Sequence, residues 1–248
     1  MAMRHTTIRG RIRYTSNKPE RLGQERGREH FTITVHTDGS RTLRAVSEID
    51  DPPAVLRDVT LSVGPDWQPR DAFVRLTVDD RFAGSSLFRF DGFSIECEGY
   101  TAREGRISQR LVLEGPPCTF GAHPIQGDAW HLNIVDLSRG PHWQIYPRLV
   151  MSSLDHRGAT GPMLVRHPIG LRLAFVGRER LSIAAGTFDA LHFRYGPRPG
   201  EEPADTANTP TRHPPYEIWC TDDGHYVFLK GEVGGYMMTA YELVELDR

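Results

Sequence analysis

Three Asp-Gly pairs, each flanked by strand-like runs, constrain the fold of this chain more than any other feature. They stand at Asp38-Gly39 after FTITVHT, at Asp91-Gly92 after SSLFRF and at Asp223-Gly224 after YEIWCTD. A two-residue type I′ hairpin turn needs positive φ at both central residues, a demand that Asp-Gly meets at low cost. Spread from the first fifth of the chain to its end, the three pairs predict an antiparallel β protein.

Alternation between them agrees. Ile8, Gly10, Ile12 and Tyr14 fall on one face of a first strand and Arg9, Arg11 and Arg13 on the other, the pattern of a half-buried strand with a solvated outer face. The polar stretch 16–29 is expected to form a long loop, after which Phe31, Ile33 and Val35 alternate into the first Asp-Gly pair. Further strands are predicted over 42–49, 54–63, 72–79, 85–90, 92–98 and 106–114, each rich in Val, Ile, Phe or Thr and bounded by Gly, Pro or Asp. The segment 116–137 breaks the pattern with Pro116, Pro117 and Pro124. Asp128 is placed there to cap a short helix with Trp130, Ile134 and Leu137 on one side, although the run also alternates as a strand. Strands resume over 142–154, 163–166, 171–177, 181–183 and 187–194, and the chain closes with 216–221, 225–233 and 236–246. The Pro-rich stretch 196–215 has almost no apolar residues to bury and is expected to be an exposed loop able to cover a pocket. The fold expected is all-β, about sixteen strands in a large antiparallel half-barrel or two curved sheets packed as a sandwich, with at most one short helix. It would be one domain over 1–248, with two similar halves, 1–115 and 138–248, joined by 116–137 as an option.

At 248 residues the chain is long enough for a substantial core, and a net charge of −2 gives no electrostatic reason to expect nucleic acid. No run approaches the length of a membrane span, and the N-terminal stretch has no apolar core of a secretory signal. Three cysteines without CxxC spacing argue against a disulfide framework or a structural zinc site. Cytoplasmic free thiols are the expectation.

The C-terminal part carries a resemblance. The run FVGRERLSIAAGTFDALHFRY (175–195), with its Gly-x-Phe-x-Ala strand, is followed by YEIW (216–219), DDG, YVFLKGE (226–232) and YELVEL (241–246), and a Ser-x-Gly turn stands at Ser62–Gly64. This succession resembles the bacterial β-rich family catalogued as domain of unknown function 3108. The resemblance implies two curved antiparallel sheets around an apolar interior and brings no agreed reaction with it.

Candidate chemistry concentrates in the middle of the chain, where eleven histidines in all are densest at His123, His131 and His142. His131 or His142 would act as acid or base, oriented by Asp128, with Tyr146 or Arg148 polarising a carbonyl. His123, Trp143, His192, Arg194, Trp219 and Tyr236 are the candidate ligand contacts. His192 and Arg194 share a strand face with Phe188 and Ala190, as polar anchors at the end of an apolar stripe would. A Glu217–Lys230 cross-strand pair is expected beside Trp219. His156 and His167 flank a Gly/Pro loop and are expected to be exposed. The spacing of the histidines matches no compact metal motif, no nucleophile elbow is present, and no metal or cofactor is expected. The reading is a soluble β-barrel-like protein that binds a hydrophobic small molecule in an internal cavity, a homodimer being an option for its assembly. The alternative is a cofactor-independent lyase, hydratase or isomerase acting on a terpenoid or aromatic compound.

Overall fold

The computed structural model describes residues 5–198 and 213–248. Eight strands come first: β1 (His5–Ser16), β2 (Glu25–His36), β3 (Arg41–Ile49), β4 (Val55–Val63), β5 (Pro69–Val78), β6 (Arg81–Asp91), β7 (Ser94–Thr101) and β8 (Gly105–Val112). An insertion follows, with β9 (Thr119–Gly121), helix α1 (Ile125–Trp130), β10 (His142–Tyr146), β11 (Leu149–Met151) and β12 (Val165–Arg166). The chain ends with β13 (Leu171–Ile183), β14 (Gly186–Tyr195), β15 (Tyr216–Thr221), β16 (Phe228–Val233) and β17 (Thr239–Asp247).

Fourteen strands form one sheet in the order β10-β13-β14-β15-β16-β17-β1-β2-β3-β4-β5-β6-β7-β8. The first and last strands of the chain meet near its middle, where Ile12 lies opposite Leu243 and Tyr14 opposite Tyr241. β8 and β10 are its two edges, so the sheet does not close into a barrel. Alternation sets its two faces. On β4, Val55, Arg57, Val59, Leu61 and Val63 are buried while the residues between them are not.

The insertion is wrapped by the inner face. Its backbone or side chains bond to Glu29 on β2, Arg57 on β4, Ser86 on β6, Gln109 on β8 and Tyr195 on β14. Strands from both arms of the sheet thus reach one central segment. A second sheet, β12-β11-β9, belongs to that segment, and Thr119, Phe120 and Gly121 of β9 are all buried.

The turns depart from expectation in an instructive way. Each Asp-Gly pair does lie at a hairpin, but only the glycine of each has positive φ, at 84° for Gly39, 57° for Gly92 and 77° for Gly224. Asp38 and Asp223 act through their side chains instead, each accepting from the N–H two residues on, at 2.9 Å in both cases. The two-residue turn with positive φ at both centres is Asp79-Asp80 (48° and 58°), between Val78 and Arg81. Two further expectations are corrected. Residues 25–29 continue β2 rather than a loop, because Glu29 is buried against the insertion. Helix α1 begins after Pro124, and Asp128 lies within it rather than capping it. The stretch expected as a covering loop, 196–215, falls mainly outside the described residues.

Candidate functional site

The insertion is anchored by one carboxylate. Glu29 is fully buried and accepts hydrogen bonds from Tyr14 Oη (3.0 Å), Ser47 Oγ (2.8 Å) and the first two amides of α1, Ile125 (2.8 Å) and Gln126 (2.9 Å). Gln126 is tied in turn to β16 and the loop before it, donating to Tyr226 O and accepting from the Phe228 amide, both at 2.9 Å. Tyr195 Oη donates to the carbonyl of Asp128 at 2.5 Å. These bonds fix α1 against the concave face and leave a cavity at one end of the sheet.

The cavity has a volume of about 160 Å³, the size that elsewhere admits a benzene-sized molecule. Asp128 and His131 from the end of α1 form one wall, and Tyr195, Tyr216 and Tyr241 on β14, β15 and β17 form another. Ile125, Leu149, Met151, Leu171, Val233 and Met237 supply apolar surface. Tyr216 stacks on Tyr195 with ring centroids 5.3 Å apart, and its hydroxyl is buried with no hydrogen-bond partner among the described residues. A side chain at Gly231 would come within 2.7 Å of the Tyr216 ring, so this glycine on the neighbouring strand β16 makes room for it.

Burial sets the charge of the lining. The Asp128 carboxyl is pushed up to about 8 by burial and by the negative charge of Glu29, against the opposing pull of Arg57. His131 falls to about 4 by burial alone, and its Nδ1 shares a 2.7 Å hydrogen bond with Thr119 Oγ1. His123 falls to about 3 through burial and then the Arg57 charge, with Nε2 donating to Ser153 O at 3.2 Å. His213 falls to about 4, again chiefly by burial, with Nδ1 donating to Pro214 O at 2.7 Å. His167 is lowered by burial too, and its Nδ1 accepts from the amide of Gly170 at 3.1 Å. Near neutral pH Asp128 therefore keeps its proton and His123, His131 and His213 are uncharged. Among the described residues no group of three or more His, Cys, Asp or Glu side chains is arranged to hold a metal ion.

Of the residues singled out from sequence, His123, Asp128 and His131 meet at this cavity. Tyr236 reaches its rim through a 2.6 Å hydrogen bond to His156 Nδ1, and Trp143 backs it by donating to Gly196 O at 3.4 Å. The others lie elsewhere. His142 on edge strand β10 donates to Gly140 O at 2.8 Å, Tyr146 offers its carbonyl to the Cys118 thiol at 3.8 Å, and Arg148 donates to Pro116 O at 2.7 Å. His192, Arg194 and Trp219 lie on the outer face of the sheet, because the inward positions of β14 are Leu191, Phe193 and Tyr195. There His192 stacks on Trp219 at 4.1 Å and bonds Glu217 at 2.8 Å, Arg194 also bonds Glu217, and Trp219 donates to Glu179 at 2.6 Å. Glu217 is thereby occupied, and Lys230 pairs with Glu232 at 2.8 Å rather than with Glu217. His156 and His167, expected to be exposed, line the cavity. Tyr195, Tyr216, Tyr241 and Arg172 complete a lining that sequence reasoning passes over. For the tyrosines the inward parity of their strands was the available signal.

No protein-family model matches the chain, and no curated protein matches it. A solved structure does: a β-barrel-like protein of domain of unknown function DUF1849 from Brucella abortus, at TM-score 0.54 and 11% identity over 99% of this chain and 99% of that one. The two share a fold. A Bacteroides fragilis protein of YmcC-like fold aligns over 97% of this chain and 95% of its own at 9% identity, but with a TM-score of 0.32 it carries no weight. The resemblance drawn from the C-terminal strands thus holds as a β-rich, barrel-like fold found in a bacterial protein of unknown function, and no match supports domain family 3108 itself. No helix among the described residues is long and apolar enough to cross a membrane.

Proposed function

We propose that the protein binds a small, uncharged, largely apolar molecule in the cavity between α1 and the tyrosines of β14, β15 and β17. The observation that carries this reading is the cavity itself, ring-sized and with Asp128 and His131 held uncharged by burial. An apolar lining with a few convergent polar groups is the usual make-up of a small-molecule site. The polar anchors are Asp128 and His131, in place of His192 and Arg194. The test is an NMR titration of the protein with toluene, phenol and cyclohexanone, repeated on Leu154→Trp, which enlarges a leucine that also lines the cavity, and on His192→Ala, which alters only the outer face. Saturable binding that weakens at least about tenfold in Leu154→Trp and is unchanged in His192→Ala is expected. Failure of all three compounds to bind, or equal binding by the filled variant, rejects the reading.

One observation favours a second reading, acid/base catalysis by a lyase, hydratase or isomerase. Asp128 keeps its proton to about pH 8 beside an uncharged His131, with 4.0 Å between Oδ1 and Nε2. In that case Asp128→Asn retains binding of a turned-over compound and loses its conversion.

A further inference from the structure

The carboxyl of Asp128 and the Nε2 of His131 both face the cavity, and their separation of 4.0 Å is too long for a hydrogen bond between them. It is the separation expected of two partners of one third atom: an oxygen about 2.8 Å from each would see them at an angle of about 90°. Neither group is free to drift. They are three residues apart at the end of α1, on one face of the helical turn. Tyr195 holds the Asp128 carbonyl at 2.5 Å, and Thr119 holds His131 Nδ1 at 2.7 Å. About a quarter of the Asp128 side chain (26%) is open to the cavity, and among the described residues no hydrogen bond reaches its carboxyl.

We propose that Asp128 and His131 together grip a single uncharged oxygen, a carbonyl or hydroxyl carried on an apolar ring; this rests on reading the cavity as a ligand site. The lining selects against ions of either sign because a charged group would lose its hydration there, and a cation would in addition face buried Arg57. Burial keeps a proton on Asp128 and off His131, so Asp128 donates, and Nε2 donates or accepts according to which way the Thr119 bond runs. Leu149, Leu171, Val233 and Met237 then receive the ring.

The probes are cyclohexanone, cyclohexanol and methylcyclohexane, titrated by NMR against the wild type, Asp128→Leu and Asp128→Asn. Asp128→Leu should weaken cyclohexanone at least about tenfold and leave methylcyclohexane within about threefold. Asp128→Asn, which keeps a donor of the same size, should hold cyclohexanone within about threefold. Equal weakening of both probes in Asp128→Leu would mean that Asp128 only shapes the wall, and an unchanged cyclohexanone affinity would place the oxygen elsewhere; either result overturns the proposal while the cavity reading stands. If no probe binds the wild type, the cavity reading falls and the proposal with it. Should Asp128→Leu not fold, pH provides the second measurement. Cyclohexanone affinity should drop at least about tenfold from pH 7 to pH 9 as Asp128 ceases to donate, cyclohexanol should hold because a carboxylate accepts its hydroxyl, and Asp128→Asn should show no drop. Facing Asp128 are Glu29, Arg57, His131, Tyr195, Tyr216 and Tyr241. Burial raises the tyrosines and lowers His131, and Asp128→Asn, which leaves every one of these groups in place, separates the titration of the Asp128 carboxyl from theirs. A pH profile that is flat for all three probes overturns the proposal.

Discussion

At the scale of single residues, Glu29 decides where the insertion sits. Four donors from three parts of the chain converge on one carboxylate that no water reaches. Burial raises its pKa, and those four bonds oppose the rise. Glu29→Ala should cost about 3–5 kcal/mol in a urea unfolding titration, because it leaves buried donors unpaired on β1, β3 and α1 at once. A loss below about 1 kcal/mol would mean that the helix is held by its apolar contacts instead. Nothing in the local sequence marks Glu29. It stands in a polar run that reads as loop, since pattern reasoning has no term for a partner some 96 residues away. Asp128 and His131 were legible as residue types able to transfer a proton. Their suitability depends on burial, which belongs to the folded state.

At the scale of elements, the turns show which part of a sequence signal is physical. Asp-Gly marks hairpins because the aspartate accepts a local amide and the glycine takes the left-handed backbone, so the location holds while the turn type does not. Asp79-Asp80 carries the strained pair of φ values without a glycine, and Asp79 is anchored by accepting from the Ala54 amide at 2.8 Å. Asp80→Gly should therefore stabilise the protein by up to about 1 kcal/mol and Asp80→Val should destabilise it by about 1–2 kcal/mol, as read from urea midpoints. Equal effects would show that the turn relaxes on substitution. Strand parity was equally legible on β1, whose arginines form an outer ladder with the last strand through Arg9–Asp247, Arg11–Glu245 and Arg13–Glu242. On β14 the polar face was identified but assigned to a pocket, because period-two alternation separates two faces without telling which one the sheet curls around.

At the scale of the whole molecule, the cavity groups give stability a particular pH dependence. His123, His131 and His213 titrate near 3, 4 and 4 when folded against 6.5 when unfolded. Between about pH 4 and 6.5 the unfolded chain thus binds up to three protons that the native protein refuses. Asp128, with a folded value of about 8 against 3.8, acts in the opposite sense, and Glu29 adds to its side. The histidines outnumber the acids, so stability rises with pH up to about 6.5. Above that Asp128 remains, and stability declines toward pH 8, each proton contributing up to about 1.4 kcal/mol per pH unit. Urea midpoints measured from pH 4 to 9 should peak near 6.5, and Asp128→Asn should flatten the alkaline side. A steady rise to pH 9 would show that Asp128 is ionised throughout.

The sequence alone determined the secondary structure class, the positions of most strands, one short helix at most, and a central segment unlike the rest. These follow from interactions between near neighbours, where alternation and turn chemistry act over a few residues. Tertiary structure decided that fourteen strands form one open sheet, that the central segment lies inside it, and that His156, His167 and three strand-borne tyrosines join Asp128 and His131 around a cavity. Curvature and burial are properties of the assembled sheet. His192 and Tyr195 stand on opposite faces of one strand, and only the direction in which the sheet curls puts the tyrosine in the cavity and the histidine outside it.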